Sequence, residues 1–230
     1  MTANPGAALI LGAGPGLGAA LSRAFAAAGH VVVLAARRPD RLQPVIDSIT
    51  AAGGTAHARD CDATDEGAVK SLVGLIEQDI APLAVAIHNA SGFARAPIAE
   101  MNAADYERAW RVSAFGGFLL GREAARHMLP RGAGTILFTG ATASKRGGAG
   151  FAGFAGGKFA LRALAESMAR ELGPKGIHVA HVVIDGQIGV DPAGAKLDPD
   201  AIAATYLALH RQPKSAWTFD VDLRPAIEKF

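Results

Sequence analysis

The run Ala7-Ala8-Leu9-Ile10-Leu11 feeds directly into Gly12-Ala13-Gly14-Pro15-Gly16-Leu17-Gly18, and an amphipathic stretch follows. An apolar strand, a glycine turn and a helix, in that order, open a parallel βαβ unit. The GxGxxG spacing fails, because Leu17 stands where its third glycine belongs, whereas Gly12, Gly16 and Gly18 fit GxxxGxG. The physics is shared by both spacings. Backbone without Cβ lets a pyrophosphate come close, and the helix start offers free N–H groups to it. Gly14, Pro15 and Leu17 complete this expected phosphate loop. A plain strand-to-helix turn would use the same glycines, but the position between the first strand and the first helix favours the nucleotide.

The alternation continues down the chain. Apolar runs predict strands near 7–11, 30–35, 55–59, 82–87, 133–139, 177–184 and 217–222. Ala/Leu-rich segments predict helices near 15–28, 39–52, 65–79, 102–128, 151–173 and 199–211. Strands such as Val31-Val32-Val33-Leu34 are apolar throughout, as expected when helices cover both faces of a parallel sheet. Breakers fall between the elements at Gly29, Gly53-Gly54, Pro82, Gly132 and Gly173-Pro174. No linker or repeat interrupts the pattern, so residues 1–230 are expected to form one α/β domain, with 185–199 its only loose stretch.

Composition narrows the partners. Half of the residues are apolar and 19% are charged, which suits a well-buried core. A net charge of +2 without a Lys/Arg run predicts no nucleic-acid partner. Cys61 is the only cysteine, which excludes an internal disulfide or a cysteine zinc cluster and suits a reducing compartment. No metal site is expected. There is no charged leader before the first strand and no apolar stretch of membrane-spanning length, so a cytoplasmic protein without membrane contact is expected.

The second strand ends Leu34-Ala35-Ala36-Arg37-Arg38. An NAD(H) site usually carries an acidic residue there for the ribose 2′-hydroxyl. Ala36 takes that place and two arginines follow, and a guanidinium holds a 2′-phosphate bidentately. Arg37 and Arg38 therefore favour NADP(H) over NAD(H), although a solvated helix start would look the same.

Further motifs, in order, resemble the short-chain dehydrogenase/reductase family. Asp60-Cys61-Asp62-Ala63-Thr64-Asp65 resembles the family's Asp-Val-Thr-Asp turn, and His88-Asn89-Ala90-Ser91 resembles its Asn-Asn-Ala-Gly. Phe154-Ala155-Gly156-Gly157-Lys158 stands in the place of Tyr-x-x-x-Lys, and Asp185-Gly186-Gln187-Ile188 in that of Pro-Gly-x-Ile. The resemblance spans nearly the whole chain. It implies a Rossmann doubly wound seven-stranded parallel sheet of order 3-2-1-4-5-6-7. It implies cofactor contacts from Asp62, Ala63, Asn89, Ala90, Lys158, Gly186 and Ile188. It also implies a homodimer or homotetramer, for which Trp110, Phe118, Leu119 and Leu120 offer apolar surface.

The departures concern chemistry. The family's tetrad is Asn, Ser, Tyr and Lys, and the corresponding residues are Ser113, Ala141, Phe154 and Lys158. Such a chain resembles an atypical subgroup with Phe for Tyr. Phe154 cannot donate a proton, and general acid help is worth roughly 10²–10⁴-fold in rate. Thr142, beside the lost Ser, and Asp185, beside the nicotinamide position, are the candidate replacements. Lys158 could bind the ribose or donate a proton itself. Neither Tyr106 nor Tyr206 is expected near the site. Three readings stand open: an NADP(H)-dependent oxidoreductase with a rearranged acid and unknown substrate, a non-catalytic NADP(H)-binding sensor or scaffold, or a relic that binds nothing.

Overall fold

The computed structural model describes residues 5–227. Seven strands form one parallel sheet in the order β3-β2-β1-β4-β5-β6-β7. They are β1 (Ala7–Leu11), β2 (Val31–Ala36), β3 (Thr55–Asp60), β4 (Leu83–His88), β5 (Gly134–Thr139), β6 (Ile177–Ile184) and β7 (Asp220–Leu223). The helices are α1 (Leu17–Ala27), α2 (Gln43–Ala51), α3 (Glu66–Leu75), α4 (Ala103–Trp110), α5 (Gly116–Met128), α6 (Ala152–Leu172) and α7 (Pro199–His210).

Alternate strand residues enter opposite layers, which explains the unbroken apolar runs. Leu9, Leu11 and Phe138 pack with Leu119 and Leu161 on the layer of α5 and α6. Ile10, Val32 and Leu137 pack with Phe25 and Tyr206 on the layer of α1 and α7. The strand order reverses between β1 and β4, and in such sheets ligands bind outside the carboxyl ends of the strands at that switch.

Three differences from the expected elements have local causes. The segment 39–52 begins as a tight turn over Pro39–Leu42 before α2, because Pro39 and Pro44 bring no N–H for a full helical ladder. The last strand starts at Asp220 rather than near 217. Gln212 captures the preceding segment: its side chain bonds Thr218 N and Oγ1, and its carbonyl takes Trp217 Nε1. The long helix 103–128 contains a wide π-helical turn over Arg111–Phe115 between α4 and α5. Such turns occur often at functional sites, and this one carries Ser113. Leu119 and Leu120 are fully buried in the core, so they offer no surface to another copy.

Candidate active site

The glycine loop separates into two kinds of glycine. A Cβ on Gly12, at φ +90°, would lie 2.3 Å from Ala90 N, and one on Gly18 would lie 2.8 Å from Ala13 Cα. These two are required by the fold. A Cβ on Gly14 or Gly16 would meet nothing within 4 Å. Helix α1 starts after Gly16 with no side-chain cap and no acidic residue in its first turn. Open space beside uncapped N–H groups fits a pyrophosphate.

Beside the loop lies a cavity of about 720 Å³, within the range of small-molecule sites. Gly12, Arg37, Asp62, Ala63, Asn89 and Ala90 line it. Arg38 does not: it is exposed and leads into the Pro39–Leu42 turn. Arg111, from the π-helical turn, also lines the cavity, and the sequence reading missed it. Its guanidinium lies 4.9 Å from the Phe115 ring centroid. Asp62 Oδ1 accepts from both Thr64 N and Thr64 Oγ1 at 2.8 Å. The Thr64 N–H, helped by the Thr64 hydroxyl, Arg37 and Arg111, holds the Asp62 carboxyl below its ordinary range.

Lys158, Gly186 and Ile188 lie beyond this cavity, at the carboxyl ends of β5 and β6. Lys158 is 2% exposed, and its Nζ donates to the main-chain oxygen of Thr139 at 2.7 Å. It has no ion-pair partner among the described residues. Burial lowers its pKa to about 8. The Phe154 ring centroid lies 5.9 Å from Nζ. Thr139 Oγ1 donates to Asn89 Oδ1 at 3.1 Å, so its 2.8 Å bond with Tyr206 must have the phenol as donor. Asn89 Nδ2 then donates to Gly12 O at 3.0 Å. Tyr206 is thus nearer the site than expected, but it is fully buried in the opposite layer, and burial raises its pKa. Tyr106 packs on Gly156 at the outer surface of α4 and α6.

The other candidates are engaged within the protein. Ser113 Oγ accepts from Gly92 N at 3.0 Å, and Ser113 O accepts from His88 Nε2 at 3.1 Å. His88 is fully buried, and burial, with Lys158 nearby, lowers its pKa to about 3. Its imidazole is neutral at physiological pH. Thr142 Oγ1 donates to Asp185 Oδ1 at 2.5 Å. Arg146 lies 3.5 Å from Asp185 Oδ1, and Arg224 lies 3.3 Å from Oδ2. Both carboxylate oxygens are therefore taken, and the Thr142 proton points at one of them. Ala141 and Phe154 provide no donor side chain.

Among the described residues no group of His, Cys, Asp or Glu could hold a metal ion, and no helix is long and apolar enough to cross a membrane.

Sheet order, glycine loop and the switch-point cavity together define a nucleotide-binding Rossmann-type α/β protein. A short chain dehydrogenase family model matches residues 6–190, and the chain belongs to that family of NAD(P)-dependent oxidoreductases. It is 33% identical to gluconate 5-dehydrogenase of Gluconobacter oxydans over 75% of this chain and 67% of that one. It is 31% identical to 7alpha-hydroxysteroid dehydrogenase of Escherichia coli, over 84% and 75% of the two chains. The crystal structure of a short-chain dehydrogenase from Rhodopseudomonas palustris matches at TM-score 0.88 and 44% identity, covering 96% of this chain and 99% of the other. A metagenomic short-chain oxidoreductase in complex with NADP matches at TM-score 0.86 and 28% identity, covering 98% and 99%.

Proposed function

We propose that this chain is an NADP(H)-dependent oxidoreductase with a degenerate tetrad, in which the Lys158 ammonium does the proton chemistry. The observation that carries this reading is the isolation of Lys158. It is buried, without a counter-ion among the described residues, and bonded only to the Thr139 carbonyl. An ammonium has three N–H donors, so two remain for a ligand. A donor whose pKa lies near the working pH gives and takes protons readily. When bound, the nicotinamide would supply or accept the hydride. Toward a carbonyl oxygen, Nζ would lose a proton as the new O–H bond forms, then regain one from solvent once the product leaves. Burial of the ammonium, with the Phe154 ring 5.9 Å away, keeps its pKa lowered. Thr142 and Asp185 serve as a clasp between the segment after β5 and the end of β6.

The preference for NADP(H) rests on Arg37 and Arg111. Each lines the cavity and has no ion pair among the described residues, so each is available to a 2′-phosphate. Self-association as a homodimer or homotetramer is part of the same reading. Trp110, Phe118 and Phe159 on the outer faces of α4, α5 and α6 are 38%, 38% and 45% exposed.

A second reading, a non-catalytic NADP(H)-binding sensor or scaffold, draws on the absence of a donor at Ala141 and Phe154. One experiment separates the two. Purified protein is titrated with NADPH and NADH, then NADPH oxidation is followed with a panel of aldehydes, ketones and enones across pH. The first reading expects tight NADPH binding, weaker NADH binding, and a carbonyl reduction rate that falls as pH rises through about 8. Lys158→Met should lower that rate by roughly 10²–10⁴-fold. NADPH binding without turnover of any compound selects the second reading. Binding of neither nucleotide removes both.

A further inference from the structure

Three phenylalanines form a cluster beside Lys158. Phe93, in the loop after β4, lies 5.2 Å from Phe154 and 6.1 Å from Phe151, measured between ring centroids. Phe154 is the ring that faces Lys158. The cluster therefore reaches from the proposed proton donor to the surface. Phe93 is 63% exposed, unusual for a large aromatic unless it meets something.

The loop carrying it is held in place. Ala96 N donates to Gly150 O at 2.9 Å, and Gly153 lets Ala94 pack closely against the start of α6. A wall that is already ordered costs a ligand little conformational entropy to use.

One cation stands on this wall. The Arg95 guanidinium lies 4.7 Å from the Phe151 ring centroid. It makes no ion pair or hydrogen bond with any described residue. Arg146, by contrast, is directed at Asp185. The contact with Phe151 holds the guanidinium at the wall, and its N–H groups, unpaired among the described residues, could meet a carboxylate bidentately.

We propose that the substrate is a carboxylic acid with a flat apolar body, an aryl-substituted oxo or hydroxy acid. Its body lies against Phe93 and Phe154 and its carboxylate on Arg95. This rests on the oxidoreductase reading above. It also discriminates among acids. A polyhydroxylated sugar acid offers little continuous apolar surface to bury against Phe93 and Phe154, so it gains less.

The test is calorimetry on the NADP⁺-loaded protein with 3-phenylpropanoate, 3-phenylpropanamide and gluconate as probes. Nucleotide binding is measured first, without any probe. The expected result is that the acid binds at least tenfold tighter than the amide and than gluconate. Arg95→Gln should remove the preference for acid over amide and leave nucleotide affinity unchanged. Phe93→Ala should weaken acid and amide alike. Both residues are exposed, so the variants fold, which circular dichroism confirms. Equal binding of acid and amide, gluconate binding as tightly as the aryl acid, or no effect of Arg95→Gln overturns the proposal. So does sedimentation showing that Phe93→Ala dissociates an oligomer, since a second copy would then own the wall. If nucleotide binds and none of the probes does, this inference alone fails. If nucleotide does not bind, the oxidoreductase reading fails with it.

Discussion

The two ends of the site use their polar groups in opposite ways. Around the glycine loop, the start of α1 has no side-chain cap, and Arg37 and Arg111 make no ion pair with any described residue. Around β5 and β6, the side chains engage each other. Thr142 bonds Asp185, Ser144 Oγ accepts from Ala141 N, and Lys145 bonds Asp222. A surface with unpartnered groups is prepared for a ligand, and a surface with paired groups is mostly prepared for itself. Lys158 departs from this pattern, with a single bond to the Thr139 carbonyl and no ion pair among the described residues, and so does Arg95 in the loop after β4. On the reading proposed above, recognition belongs to the first end, and Lys158 and Arg95 carry the second.

The largest test sits inside the glycine loop. Gly12→Val should destabilise the fold by more than about 4 kcal/mol, because a branched side chain is strained at positive φ and collides with the Ala90 backbone. Gly14→Ala should leave stability within about 0.5 kcal/mol. It should still weaken NADPH by about tenfold, equivalent to about 1.4 kcal/mol. Urea unfolding and nucleotide titration of both variants check this. A Gly14→Ala protein that binds normally would break the contrast at its prepared end.

Lys158→Met is the next test. The folded pKa of about 8 lies below the ordinary 10.5, so the unfolded chain binds the proton more tightly. The resulting penalty is fully present below pH 8 and fades as pH rises from about 8 to about 10.5. Lys158→Met should therefore stabilise the nucleotide-free protein at neutral pH, by an amount on the order of 3 kcal/mol. The gain should shrink in alkaline buffer. Urea midpoints at neutral and alkaline pH measure it, and a gain independent of pH would show the ammonium to be satisfied.

Thr142→Val should cost about 1.5–3 kcal/mol, the value of a hydrogen bond to a charged group, while changing turnover little. A large loss of turnover at unchanged stability would return Thr142 to the chemistry. The smallest effect is expected of Tyr206→Phe, about 1 kcal/mol for one buried hydrogen bond, with NADPH affinity within about threefold. A larger shift in affinity would mean that the chain through Thr139 and Asn89 orders the glycine loop.

The strands were legible because parallel strands covered on both faces are apolar throughout and end at breakers. The phosphate loop was legible because its glycines sit at a strand-to-helix junction. What escaped depended on contacts distant in sequence. Nothing local marks the π-helical turn, since one extra residue per turn leaves propensity unchanged, and so Arg111 went unseen as a cavity wall. The spacing of Tyr206 could not show that α7 packs on α1 and brings its phenol to Thr139. Asp185 stands in the sequence as a candidate acid because its partners Arg224 and Arg146 come from other segments. Arg95 acquires meaning only once the start of α6 folds against its loop.

The buried ammonium of Lys158 also ties the lifetime of the protein to its nucleotide supply. A ligand that binds only the native state adds about 2.7 kcal/mol of stability at a hundred times its Kd. That is close to the penalty of burying an uncompensated cation. A chain without nucleotide therefore opens more often, and proteolysis of open forms follows their population. Protease digestion should clear the nucleotide-free protein faster than the loaded one, and Lys158→Met should slow clearance of the nucleotide-free protein.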